Sequence, residues 1–327
     1  MSDDVPFDRS LPQFTDRSEA LSRRVRRVMA ANAGPFTFTG TCSYIVGEGR
    51  VAIIDPGPAD DGHLAALLGA VAGERVEAIL VTHTHRDHSS LVPALKQATG
   101  APTYGAGPHR MARPLHLGEA NLLDAAADHA FQPDIILADG DVVSAPGWDL
   151  TALATPGHCA NHLAFALDGD EVLFSGDHVM AWSTTIVAPP DGAMGDYVAS
   201  LQKLVGRPEA RYYPGHGNPV MEPQRFLRGL IHHRRMREGA ILKALTQGPA
   251  AIPAIVAKVY VGLAPALIGA ASLNTLAHLE DLVSQGLVST ESAPSIAGTY
   301  SLAGGASARV RSSSRKPATR RALAPKS

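Results

Sequence analysis

Only two cysteines, Cys42 and Cys159, occur in 327 residues. That excludes a disulfide framework and leads us to expect a reducing, cytoplasmic setting. Long apolar runs are also missing. The first thirty residues mix Asp, Arg and Pro, so no signal peptide is expected. The most apolar later stretch, 250–272, is interrupted by Pro253, Lys258 and Pro265 and reads as core helices, so no membrane contact is expected. No internal repeat is visible. Basic charge is scarce outside the C-terminus: seven of the 29 Lys and Arg lie in 307–327, leaving 22 against 31 acidic residues. Hydrophobic residues are plentiful at 45%, enough for one large domain and a smaller one.

The chain divides by pattern. Residues 1–35 read as an N-terminal leader with an Arg-rich stretch, Arg23 to Arg27. Short strands are expected at 41–46, 51–54, 76–81, 101–104, 150–154, 163–167, 171–174 and 211–213, with helices at 63–72, 91–99 and 197–204. Residues 105–133 read as irregular. A long charged helix over 222–245 is followed by helical segments at 252–260 and 266–285, then a hairpin near 286–301. Helices followed by a small hairpin outline a winged helix. The expected division is a catalytic domain at 36–235, a winged-helix-like domain at 236–304 and a disordered basic tail at 305–327. Such a tail either touches nucleic acid or acidic surfaces or is simply solvated.

Within this frame one hexapeptide stands out: His83-Thr84-His85-Arg86-Asp87-His88, directly after an apolar strand. Imidazole and carboxylate donors suit zinc or iron. Three later strand ends each carry a further candidate beside Gly or Pro, residues that make tight turns. These are Pro156-Gly157-His158, Ser175-Gly176-Asp177 and Pro214-Gly215-His216-Gly217. Seven candidates, His83, His85, Asp87, His88, His158, Asp177 and His216, exceed what one tetrahedral zinc requires. Two metals about 3.5 Å apart and sharing a carboxylate would use them all.

In this order the four motifs resemble the metallo-β-lactamase superfamily over about residues 36–220. The resemblance implies an α/β fold, an αββα sandwich with its site at one edge of two packed sheets, and two zinc ions, with Mn²⁺ or Fe as variants. Carried over by motif, His83, His85 and His158 would bind one metal. Asp87, His88 and His216 would bind the other, Asp177 would bridge, and Asp55 would support a ligand histidine. His233-Arg234-Arg235-Met236-Arg237-Glu238 and the winged-helix-like end are similar to the β-lactamase-like protein 2 subgroup, some members of which cleave single-stranded RNA.

The expected activity is hydrolysis of an ester, thioester, lactone or RNA phosphodiester, with a metal-bridging hydroxide as nucleophile and Asp87 as a catalytic proton relay. The partner would be a small ester- or thioester-like molecule or single-stranded RNA, and a homodimer is compatible. Asp177 stands where β-lactamases of this fold usually carry Cys or Ser, which points towards the glyoxalase, lactonase and nuclease branches. Iron-dependent oxidoreduction, as in persulfide dioxygenases, is the alternative on the same fold. Cys42 replaces the Asn of many relatives, with a change of specificity if its loop meets substrate. Arg234 and Arg237 have two readings, a grip on phosphate or a surface ion pair such as Arg234 with Glu238. Tyr197, Tyr213 and His178 are expected to be structural, and His109, His116 and His129 solvated. Cys159 is expected to pack, and His162 either packs or bonds near the site.

Overall fold

The computed structural model describes residues 5–15 and 17–304; the basic tail expected at 305–327 lies outside them. Strands β1 (Ser18–Ala20), β2 (Val25–Met29), β3 (Cys42–Glu48), β4 (Arg50–Ile54), β5 (Arg75–Leu80), β6 (Thr103–Gly105) and β7 (Ile135–Ile136) form one sheet in that order. A second sheet has the order β12-β11-β10-β9-β8, from β8 (Val142–Ala145), β9 (Trp148–Ala154), β10 (Leu163–Leu167), β11 (Val172–Gly176) and β12 (Arg211–Pro214).

Successive side chains of a strand face opposite ways, and both sheets use both faces. Tyr44, Val46, Ala52, Ile54 and Leu80 of the first sheet meet Leu163, Phe165, Leu167, Phe174 and Tyr213 of the second in one central core. The opposite face of the first sheet, with Ile45, Val51, Ile53 and Ile79, packs against helices. These are α1 (Asp61–Ala70) and, beyond the single turn α2 (Arg86–Ser89), α3 (Val92–Thr99). The outer face of the second sheet, with Ala164, Ala166 and Leu173, is covered by α4 (Met194–Leu204) and the first half of α5 (Pro223–Leu245). The result is the expected αββα sandwich.

Two boundaries differ from expectation. Residues 18–29 are not a leader: β2 pairs with β3 along five positions and buries Val25, Val28 and Met29 completely. Adjacent arginines concealed this strand, because each finds an internal partner. Arg26 reaches Glu74 and the carbonyl of Ala70, and Arg27 reaches Glu19 and the carbonyl of Gly217. The division at 235/236 falls inside α5. Its Phe226, Leu227 and Leu230 belong to the sandwich, while Ile241 and Leu245 belong to the C-terminal core.

That core is built from β13 (Ala250–Ala251), α6 (Ile252–Val259), α7 (Ile268–Ser284), β14 (Val288–Thr290) and β15 (Thr299–Leu302), the last two forming the expected hairpin. Among the described residues no helix is long and apolar enough to cross a membrane.

Candidate metal centre

Strand direction brings the candidate ligands together. β4 runs parallel to β5, and β11 parallel to β12, while β10 lies antiparallel to both β9 and β11. The C-terminal ends of β9, β11 and β12 therefore share one sheet edge, and those of β4 and β5 share another. His83 follows β5, His158 follows β9, Asp177 follows β11 and His216 follows β12.

Three ring nitrogens converge first. His83 Nε2 and His158 Nε2 lie 3.1 and 3.0 Å from His85 Nδ1. Tetrahedral ligands on one zinc would stand about 3.3 Å apart, given bonds of about 2.0–2.1 Å. A second group is formed by Asp87 Oδ2, which lies 3.2 Å from His216 Nε2 and 3.5 Å from His88 Nε2. Asp177 stands between the groups: Oδ2 is 3.4 Å from His216 Nε2 and 3.8 Å from His158 Nε2, and Oδ1 is 3.6 Å from His88 Nε2. All seven expected ligands are thus assembled, in overlapping sets that could hold metal ions.

The donors fit a cation better than they fit one another. His88 Nε2 and Asp177 Oδ1 are buried without a hydrogen-bond partner, a state that buried polar atoms rarely tolerate. The outward nitrogens of the five histidines, by contrast, each meet a partner. His83 Nδ1 meets Thr82 Oγ1 at 3.0 Å, and Thr82 in turn donates to Asp55 Oδ2 at 2.7 Å. His88 Nδ1 meets Asp55 Oδ2 at 2.9 Å, His158 Nδ1 the carbonyl of Ile186 at 2.7 Å and His216 Nδ1 the carbonyl of Gly40 at 3.3 Å. His85 Nε2 faces Cys159 Sγ at 3.3 Å. Such partners fix each ring and hold one proton on its outer nitrogen, so that the inward nitrogen offers a lone pair once it carries no proton of its own. Asp55 does this from a strained backbone, φ +50°.

Charge divides the site. Burial, then the neighbouring imidazoles, push His83 well down and His85 to about 3. Burial also works against protonation of His88 and His216, but carboxylates outweigh it. Asp87, Asp177 and Asp55 lift His88 to about 9, and Asp177 and Asp87 hold His216 well above the usual histidine range. The same histidines overcome burial at Asp87 and Asp177 and keep both below the carboxylate range.

Several residues outside the ligand set take part. Asp55 makes the contact to His88 that its expected supporting role would require. His162 Nε2 accepts from the backbone N–H of Asp177 at 3.2 Å. Cys159 does more than pack, since it partners the His85 ring, and burial holds its thiol well above its ordinary value. Sequence reasoning missed Thr82, Thr185 and Ile186, which carry no metal-site signature of their own. His109 is not solvated: its side chain is 3% exposed and Nδ1 meets Thr84 Oγ1 at 2.9 Å. Cys42 lies wholly buried between the sheets, so its side chain does not line a substrate surface. Tyr213 stacks on Tyr44 in the same core.

The metallo-beta-lactamase superfamily profile matches residues 36–216, and that of the beta-lactamase associated winged helix domain matches 251–296. With its fold and site, the chain belongs to the metallo-β-lactamase superfamily, in the form that carries this C-terminal winged helix. It is 31% identical over 237 residues to a Caenorhabditis elegans β-lactamase-like protein 2 homolog, covering 70% of this chain and 73% of that one. It is 30% identical over 243 residues to an atrochrysone carboxyl ACP thioesterase of Aspergillus fumigatus, covering 72% and 69%. A β-lactamase domain protein from Burkholderia ambifaria shares the fold with a TM-score of 0.74 at 21% identity, over 92% of this chain and 97% of that one.

Proposed function

We propose that this protein is a dinuclear metal-dependent hydrolase, zinc being the preferred ion, and that it cleaves a thioester or a related carboxylic ester. The observation that carries the reading is the pair of orphaned donors, His88 Nε2 and Asp177 Oδ1, inside a ring of imidazoles already oriented by outer partners. Bound metal ions would supply a water of lowered pKa and an electrophile for the carbonyl oxygen.

The chain's own groups do the rest. Asp87 is the most exposed carboxylate of the site, its side chain 26% open against 9% for Asp177. In this reading it would accept a proton from the attacking water and return it to the departing thiol or alcohol. Phe38 stacks on Trp182 at 5.1 Å, and Trp182 lies against Gly217, beside His216, giving an apolar flank for an acyl chain. The thioesterase name of one relative at 30% identity supports the same choice.

RNA is less favoured. Arg234 and Arg237 turn inward rather than gripping phosphate, and residues 249–300 hold Lys258 against Glu280, Asp281 and Glu291. Assays of metal-quantified protein on acyl thioesters, esters, lactones, lactams and single-stranded RNA test the proposal. Thioester turnover should vanish with chelator and return with zinc. RNA cleavage without any acyl hydrolysis would refute it.

A further inference from the structure

Arg234 sits midway along α5 with 3% of its surface exposed. Its guanidinium donates through Nη2 to the carbonyl of Thr185, through Nη1 to Asn274 Oδ1 at 3.4 Å, and lies 4.9 Å over the Tyr197 ring. Asn274, on α7, accepts through the same Oδ1 from the N–H of Val187 at 3.1 Å. Two helices that build the C-terminal core thus hold both ends of one catalytic-domain segment, 185–187.

That segment also touches two expected metal ligands. Thr185 Oγ1 contacts the carbonyls of Asp177 at 2.7 Å and His178 at 3.0 Å. The carbonyl of Ile186 accepts from His158 Nδ1 at 2.7 Å. Tyr197, beneath the guanidinium, donates to the His178 carbonyl at 3.1 Å. A continuous run of hydrogen bonds therefore leads from α5 and α7 to the backbone of the bridging carboxylate and the ring of a ligand histidine.

We propose that Arg234 and Asn274 are positioning residues for the metal centre: the winged-helix half, clamped onto segment 185–187, sets where Asp177 and His158 point. The inference rests on the metal-site reading above. A buried guanidinium is a poor space filler, because well-packed hydrophobic groups stabilise at least as well. What a hydrophobic group cannot do is fix a carbonyl and an amide in direction. Partners that bond a ligand directly commonly change affinity by roughly 10- to 100-fold; Arg234 and Asn274 act one link further out, through Thr185 and Ile186, so the lower end of that range applies.

Arg237 is the natural control. It donates to the carbonyl of Val259 at 2.7 Å and lies 4.3 Å over Tyr260, both within the C-terminal half, so its contacts do not lead to a ligand. Zinc affinity, by competition with a chelating dye, and the Co²⁺ absorption spectrum should be measured for wild type and four variants. Arg234→Met and Asn274→Leu should lose roughly 10-fold or more in affinity at one of the two sites and shift the cobalt bands. Asn274→Asp, which keeps the acceptor, should retain both. Arg237→Met should lower Tm and leave metal binding unchanged. Should Arg234→Met fail to fold, the Asn274 pair decides. Wild-type affinity and spectrum in Arg234→Met and Asn274→Leu, or an equal loss in Arg237→Met, would overturn the clamp alone. A wild-type chain that binds no metal would overturn the metal-site reading and the clamp with it.

Discussion

At the scale of single residues, chemistry follows from who faces whom. Asp87 lies beside His88 and His216 and is the expected ligand most open to solvent. Asp87→Asn keeps the shape but removes an anionic donor and a proton acceptor. Turnover should fall by roughly 10²–10⁴-fold, with far-UV circular dichroism unchanged; a near-wild-type rate in metal-loaded Asp87→Asn would contradict the proton-relay role. The neighbouring carboxylates lift His88 to about 9 and shift His216 upward as well, so both rings favour their protonated forms in the metal-free site. Metal uptake near pH 7 should therefore release protons. Affinity should rise with pH until His88 has lost its proton near pH 9 and weaken as pH falls. Titration calorimetry in buffers of different ionisation enthalpy reads this directly, and no buffer dependence would contradict the charge assignment. The clustering of the seven candidate donors was legible in the sequence because they sit together in His83 to His88 and beside Gly or Pro elsewhere. Thr82, Thr185 and Ile186 were not, because an ordinary residue becomes a partner only when distant strands meet; Arg234 and Thr185 are 49 positions apart.

At the scale of elements, tight turns after strands present the candidate ligands, and glycine makes them possible. A Cβ on Gly215 would stand 2.5 Å from both Asp177 Oδ1 and His88 Cε1, in the space between two ligands. Gly157, at φ +140°, lets the chain pass against the Tyr197 backbone, where a Cβ would come within 2.3 Å of Cα. Gly215→Ala should therefore weaken metal binding by about tenfold or more, the scale seen when ligand support is disturbed. Unchanged zinc affinity would show that the turn can yield. Strand alternation made the central elements, β3 to β5 and β9 to β11, readable in outline. It failed at β2, where Arg26 and Arg27 read as leader charge although their stems are internal and their heads paired. The helical reading of 222–245 was sound in extent, but periodicity cannot reveal that one helix serves two cores.

At the scale of the whole molecule, α5 runs from the sandwich into the winged helix, and α7 packs on α4 and reaches segment 185–187. The two halves should accordingly unfold together. Calorimetry should show one cooperative transition, displaced upward by zinc; at a free-metal concentration 100 times Kd the gain is about 2.7 kcal/mol. Two resolved transitions, with metal acting on only one, would mean that the halves are independent. Fold class and the candidate donor cluster were written in the motif order; the joint between the halves was not, since it depends on contacts between Arg234, Asn274 and Thr185 that no local pattern marks.

The most direct measurement counts metal in the whole chain. Zinc-reconstituted protein, freed of loosely bound ion and analysed by elemental mass spectrometry, should hold two ions per chain, falling to one or fewer when Asp177 is replaced by Ala. A wild-type chain holding a single ion, or a count that Asp177→Ala leaves at two, would contradict a centre in which one carboxylate joins two metals.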